Sequence, residues 1–420
     1  MTERTVEQAA KQPADEGLRS LPRNVWAVSA TSFFMDISSE MVINILPLFL
    51  SNALGVKTNL IGLIEGVAES TSSLLKLFSG WLSDRLGGRK WIAVAGYGIS
   101  MLAKPFFYFA NTWGLVAGVR WADRVGKGIR TAPRDALVAD SVEESRRGAA
   151  FGFQRAADTA GAMLGLLIAL LVVWLAQSNS VALGASTFRT VVLLSIIPAV
   201  LAVAALAFGA RDVPLQGQRA MPKFAFRALG KRFMIFMLIV SVFDLGNSSD
   251  AFLVLRAQER GLSVTGILTM LVVFNLIYTL VSAPAGKLSD RIGRRRLIIY
   301  GWVVYALIYL GFSAAQSGWQ IFGLYAVYGL YYGLAYGSSK AIVADLVPAE
   351  LRGTAYGTYN AVLGILDLPA SLIAGILWQG LGTWAGFGPS APFLFGGVLA
   401  LVAAVMMAVW KPETHKSLSA

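Results

Sequence analysis

The chain has no cysteine, a single histidine (His415), and few charges for its length, 14% of 420 residues. Each shortage removes a class of chemistry. Without cysteine there are no disulfides, no Fe–S ligands and no thiolate nucleophile, and the redox compartment leaves no mark on the composition. One histidine, close to the C-terminus, takes away the usual general base and the commonest metal ligand. No Gly-x-Ser-x-Gly, His-Glu-x-x-His or Gly-x-x-x-x-Gly-Lys-Ser/Thr stretch occurs. Nothing therefore points to an esterase elbow, a zinc protease or ATP coupling. Residues 1–22 mix both signs of charge and lack an apolar run, so they read as a disordered cytoplasmic tail and not as a cleaved signal peptide.

What is abundant is hydrocarbon. Hydrophobic residues make up 56% of the chain, against about 45–50% in a soluble domain. Segments of the length needed to cross about 30 Å of hydrocarbon recur throughout. Twelve are expected, at approximately 25–50, 59–83, 91–110, 113–139, 148–176, 188–209, 232–256, 264–286, 297–315, 319–344, 354–381 and 391–410. Runs this long favour helices over barrel strands. The fold class predicted is an all-α membrane protein of twelve transmembrane helices.

The net charge of +12 does not imply nucleic acid, because its placement is one-sided. Arg85, Arg89, Lys90, Arg146, Arg147, Arg211, Arg219, Lys223, Arg227, Lys231, Arg232, Lys287, Arg291, Arg294, Arg295, Arg296 and Arg352 fall on alternate connections, whereas the others hold little beyond Lys57 and Arg260. That asymmetry predicts both termini in the cytoplasm.

One charged sentence is written twice. GWLSDRLGGRK at 80–90 returns as GKLSDRIGRRR at 286–296, and VADSVEESRRGAAFG at 138–152 returns as VADLVPAELRGTAYG at 343–357. Repeats in the same order after even numbers of helices imply two six-helix halves of like orientation, with a site between them near the midplane. The organisation expected is a tail over 1–24, one half over 25–210, a basic linker over 211–232, a second half over 233–410 and a tail over 411–420.

The two charged passages resemble the loop signature of the major facilitator superfamily, G-x-L-[ASG]-D-[RK]-x-G-[RK]-[RK]. The second copy fits throughout, and the first has Gly88 where a basic residue is usual. Arg124-Val-Gly-Lys127-Gly128-Ile-Arg130-Thr-Ala resembles the helix 4 motif R-x-x-Q-G-x-G-A-A, with Lys for Gln and Arg for the second Gly. The likeness spans essentially the whole chain, has the flavour of prokaryotic efflux members, and is silent on substrate. It implies that helices 1, 4, 7 and 10 line a cavity and that the loop motif locks the halves together at the cytoplasmic side. That gate would comprise Gly80, Asp84, Arg85, Gly87 and Arg89, and Gly286, Asp290, Arg291, Gly293 and Arg294. Read without the family, those charges anchor helix ends and set topology.

Ionisable residues inside a bilayer are costly and are functional candidates by default. Helix 4 carries Arg120, Arg124, Lys127 and Arg134 along one face. Arg120 and Arg124 lie too deep for the surface, so each either meets substrate or pairs with Asp123, Asp36 or Glu40. Asp36 and Glu40 stand one turn apart on helix 1, where like charge and desolvation disfavour full ionisation of both, as a proton-coupling site requires. Helix 7 offers Asp244, Asn247 and Asp250; the two carboxylates are six apart, so only one is expected to see the cavity. Glu65, Glu69 and Lys76 on helix 2 read as a polar seam between helices. Arg155 and Asp158 on helix 5 read as a self-neutralising pair, and Lys340 and Asp367 have no legible partners. Gly161 and Gly165 predict close packing of helix 5, whose antiporter signature G-x-x-x-G-P-x-x-G-G is incomplete. The tyrosines of LYAVYGLYYGLAYG (324–337) read mainly as packing.

These readings converge on a proton-coupled secondary transporter exporting a small organic compound by alternating access. It would need no cofactor beyond the proton gradient, and would act as a monomer among membrane lipids in a prokaryotic plasma membrane. Within transporters, the rival reading is proton-coupled movement, in the uptake direction, of an anionic solute or metabolite, suggested by Arg120, Arg124 and Lys127. A non-transporting receptor or scaffold is the remote alternative, and a membrane enzyme leaves the repeat unexplained.

Overall fold

A computed structural model describes residues 20–86, 88–143, 146–213, 229–347 and 351–410, excluding the side chains of Asp84, 282–291, 333–338, Lys340, Ala341, Ala344 and Gly353. The terminal tails, most of the linker, Gly87, and the side chains of Gly286, Asp290, Arg291 and Lys340, all singled out above, thus lie outside the described residues.

Among the described residues, fourteen helices build twelve spans. The N-terminal half contains α1 (Arg23–Ile43), α2 (Leu46–Asn52), α3 (Thr58–Leu86), α4 (Lys90–Tyr108), α5 (Trp113–Asp140), α6 (Arg147–Gln177) and α7 (Ala185–Gly209). The C-terminal half contains α8 (Gly230–Gly246), α9 (Ala251–Glu259), α10 (Val264–Ile292), α11 (Arg294–Ala314), α12 (Gly318–Leu346), α13 (Arg352–Gln379) and α14 (Ala391–Val409). The first span is α1 followed by α2, and the seventh is α8 followed by α9. Among the described residues, eight stretches are apolar and long enough to cross a membrane by length and composition alone. The α3 and α5 spans fall short of that measure because they carry charges that are buried against each other.

The two halves are built alike. In the first, α1 packs on α6 and α7, α5 packs on α3 and α4, and α4 on α7. In the second, α8 packs on α13 and α14, α12 packs on α10 and α11, and α11 on α14. Each contact in one half has its counterpart in the other, which makes two pseudo-symmetric six-helix bundles. The seam between them is formed by α3 against α13 and α6 against α10.

Close approach is written into the sequence at α6. A Cβ on Gly161 would collide with the Phe33 carbonyl oxygen, and one on Gly165 would reach within 3.0 Å of the Ile37 Cα. The expected small-residue packing therefore holds, with α1 as the partner. Where the second charged loop turns into α11, Gly293 has φ +89°, a conformation that needs glycine.

The ends bearing the basic loops are tied within each half. Arg89 Nε pairs with Asp140 at 2.9 Å, and Arg294 Nη1 pairs with Asp345 at 2.6 Å. Asp140 and Asp345 are equivalent in the repeat, while Arg294 stands where the first copy has Gly88 and Arg89 aligns with Arg295, so each half is braced from a neighbouring position of the same motif. Asp212 Oδ1 accepts from the backbone N–H of Arg89 and Lys90 at 2.8 and 2.9 Å, satisfying the first turn of α4. Gly88 lies against that carboxylate. Arg85 lies over the Trp81 ring at 5.5 Å, on its own helix.

At the opposite ends, the halves are joined to one another. Val264 N–H donates to Ser180 O at 3.0 Å, Thr265 Oγ1 to Ser178 O at 2.7 Å, Gln258 Nε2 to Val181 O at 2.6 Å, and Asn59 Nδ2 to Gly380 O at 2.9 Å.

Candidate functional site

The first and seventh spans break at corresponding places, which was not anticipated. Helix α1 ends at Ile43 and α2 begins at Leu46 with Pro47 in its first turn. Proline cannot donate to the preceding turn, and that is the local cause. Helix α8 ends at Gly246, and α9 begins only after Asn247-Ser248-Ser249-Asp250. Irregular backbone is tolerated at membrane depth only where protein or a water-filled cavity receives its polar groups. Here both occur. Tyr305 Oη donates to Gly246 O at 3.3 Å, Ser371 Oγ accepts from Ser249 N–H at 3.2 Å, and the remainder faces a cavity.

That cavity, about 590 Å³, lies between the halves. The N-terminal wall contributes Glu40 and Asn44 from the first span, Glu65 and Glu69 from α3, Arg120 and Lys127 from α5, and Arg155 from α6. The C-terminal wall contributes residues 247–251, then Phe274, Asn275 and Tyr278 from α10, Tyr332 from α12, and Asp367 and Ser371 from α13. Spans 1, 4, 7 and 10 do line it, but 2, 5, 8 and 11 line it as well.

The deep arginines have partners, and of those expected only Asp123 is among them, beside Arg120. Arg120 makes a forked contact with Glu65, Nη2 to Oε2 at 2.6 Å and Nε to Oε1 at 3.2 Å, and also reaches Glu69 at 3.3 Å. Arg124 pairs with Glu69 at 3.2 Å. Asp123 stands 3.8 Å from Arg120, while Asp36 and Glu40 form no described ion pair with either arginine. The geometry explains the correction. Two glutamates four apart on α3 lie beside two arginines four apart on α5, so one ladder fits the other. The α3 seam is thus real, and it is also a cavity wall.

Other candidates separate clearly. Glu40 accepts from Asn44 Nδ2 at 2.7 Å and opens to the cavity. Asp36 is not on the wall, but lies within electrostatic range of Asp158, Glu40, Arg130 and Lys127. Asp250 and Asn247 reach the cavity, whereas Asp244 is buried in the last turn of α8 with Oδ2 lacking a hydrogen bond. One helix-7 carboxylate does see the cavity, as expected, but a broken helix rather than a helical face decides which.

The self-neutralising pair in α6 is not formed among the described ion pairs. Arg155 instead reaches across the seam, Nη2 donating to the Tyr278 hydroxyl at 3.5 Å, and Asp158 Oδ1 is buried without a hydrogen-bond partner. The long arginine side chain follows the cavity, so spacing along one helix does not decide its partner. Most of the tyrosine stripe is packing: Tyr325 and Tyr328 are buried among Phe274, Tyr309 and Phe312. Tyr332 alone of that described stripe lines the cavity.

Lys104 was missed by sequence reading. It is buried on α4 and donates to Ser39 Oγ at 3.2 Å. The signal was present, a lone lysine in an otherwise apolar run.

A family model, the Major Facilitator Superfamily, matches residues 28–255 and again 234–420, once for each half. An uncharacterized MFS-type transporter of Methanocaldococcus jannaschii is 34% identical over 410 residues, covering 96% of this chain and 99% of that one. The multi-drug resistance efflux pump PmrA of Streptococcus pneumoniae is 25% identical over 332 residues, covering 76% of this chain and 79% of the pump. Among solved structures, a POT family transporter in complex with 5-aminolevulinic acid superimposes with a TM-score of 0.76 at 13% identity, covering 94% of this chain and 97% of that one. The chain belongs to the major facilitator superfamily and is a multi-pass membrane transporter of that kind.

Proposed function

We propose that the protein exports a small organic compound by proton-coupled alternating access. The observation that carries this reading is the set of carboxylates Glu40, Asp250 and Asp367 facing one cavity at the seam of the halves. Carboxylates in such a site gain and lose protons as solvent access changes. Arg120 and Arg124, which favoured an anionic cargo, are matched by Glu65 and Glu69 and lose most of that force. The likeness to an efflux pump supports export. The basic loops orient the chain with both termini in the cytoplasm of a prokaryotic plasma membrane. In that orientation, the hydrogen bonds between halves close the outer side, and the Arg89–Asp140 and Arg294–Asp345 braces keep each half rigid at the cytoplasmic side.

Proteoliposomes with and without a pH gradient test the coupling, with ethidium as the first probe. The double variant Asp36→Asn, Glu40→Gln should lose gradient-driven accumulation and keep exchange at zero gradient. Undiminished accumulation in that variant would contradict proton coupling through the first span.

A further inference from the structure

Lys104 on α4 and Asp123 on α5 are buried behind the N-terminal wall of the cavity and do not line it. Lys104 makes no ion pair among the described residues, and its Nζ donates to Ser39 Oγ at 3.2 Å. A charged lysine has three donors to place, and one hydroxyl does not serve them where water is excluded. Asp123 is the carboxylate that acts on Lys104, yet its Oδ1 is buried without a hydrogen-bond partner. Arg120 Nη1, which stands 3.8 Å from Asp123 Oδ2, and Arg124 Nε are likewise buried and unpartnered. Arg120 also lines the cavity, so unpartnered polar atoms lead from the cavity back to Lys104. Buried polar atoms of this kind are served by internal water.

The charges that act on Lys104 are Asp123, Arg130, Arg124 and Arg120, all on α5. Arg120 and Arg124 are matched by Glu65 and Glu69, while Arg130 donates to Ser100 Oγ at 2.6 Å and lies over the Tyr97 ring. Helix α1 meets Lys104 with Ser39, and its Asp36 and Glu40 lie toward Asp158 and the cavity. Helix α7, also packed on α4, carries one charge, Arg189, which donates to Asn111. Arginine keeps its proton, so among these cations Lys104 is the one whose charge can change.

We propose that Lys104 is a proton-carrying residue of the transport cycle, reached through water held by Asp123, Arg120 and Arg124. The inference rests on the proton-coupled reading and adds a carrier outside the cavity carboxylates. With the outer side closed, the amine serves Ser39 alone, an arrangement that suits its uncharged form. Taking up a proton makes it draw on Asp123, and Asp123 and Ser39 belong to α5 and α1, two helices of the cavity wall. Gain and loss of the proton therefore shift that wall. One N–H bond forms and breaks per cycle, the proton coming from water on one side and returning to water on the other.

The test uses the full-length protein without cargo, spin-labelled at Arg147→Cys and Arg352→Cys, with pH stepped from acid to alkaline. The parent's distance distribution should shift with pH. Lys104→Gln should hold it near the parent's alkaline form and Lys104→Arg near the acid form, and both should lose gradient-driven ethidium accumulation. A purely structural lysine predicts otherwise, because Arg keeps the charge and the donor to Ser39 and would restore the parent's response. Either variant matching the parent across the range, or both displaced to the same side, overturns the proposal and spares proton coupling. A parent whose distances ignore pH also overturns it, and if gradient-driven accumulation is missing too, the coupling reading falls with it. Should Lys104→Gln fail to fold, Ser39→Ala replaces it: removing the amine's acceptor should displace the midpoint of the pH response, and an unmoved midpoint overturns the proposal.

Discussion

Glu65 and Arg120 show what a charge does at membrane depth. Both are nearly fully buried, and their forked contact is the shortest of the ladder between α3 and α5. Removing Glu65 leaves Arg120 only its longer contacts with Glu69 and Asp123 in a low dielectric, and breaking comparable buried pairs costs about 3–5 kcal/mol. Glu65→Gln should therefore lower the thermal unfolding temperature markedly, and adding Arg120→Gln should recover part of the loss. A single variant as stable as the parent would show that the pair contributes nothing to folding. The sequence exposed these residues as candidates because charge is rare in oil, but their pairing depends on which helices are neighbours. Matching four-residue spacings on α3 and α5 held that information, and only the packing turned it into contacts.

Helices were legible where composition decides and illegible where a break decides. Runs of apolar residues located all twelve spans to within a few residues, because spanning length is set by the bilayer. The interruptions at Asn44–Ile45 and at 247–250 were hidden inside those runs, although Pro47 and Gly246-Asn247 are the residues that cause or permit them. Those breaks place Asn44, Asn247 and Asp250 at the cavity, so the missed elements carried part of the site. The contact of α6 on α1 was more readable, since Gly161 and Gly165 repeat at one helical face. Gly161→Leu should force the helices apart against the Phe33 carbonyl and destabilise the N-terminal half by about 1–3 kcal/mol. Thermal unfolding indistinguishable from the parent would mean that the close approach does not contribute to stability.

At the scale of the whole molecule, the two halves repeat one plan: equivalent helix contacts, equivalent broken first helices, and an Arg–Asp brace in each half, at 89/140 and 294/345. Two rigid bodies joined along a polar seam can exchange which end is closed without repacking either interior. The natural absence of cysteine makes this directly measurable, because introduced pairs are the only labelling sites. Spin labels at Val181→Cys and Gln258→Cys report the end where the halves now meet, and labels at Arg147→Cys and Arg352→Cys report the basic end. Double electron–electron resonance should show the two distances changing in opposite senses as pH is shifted or cargo is added. Distances that stay fixed, or that lengthen together, would contradict alternating access by rocking of the two halves.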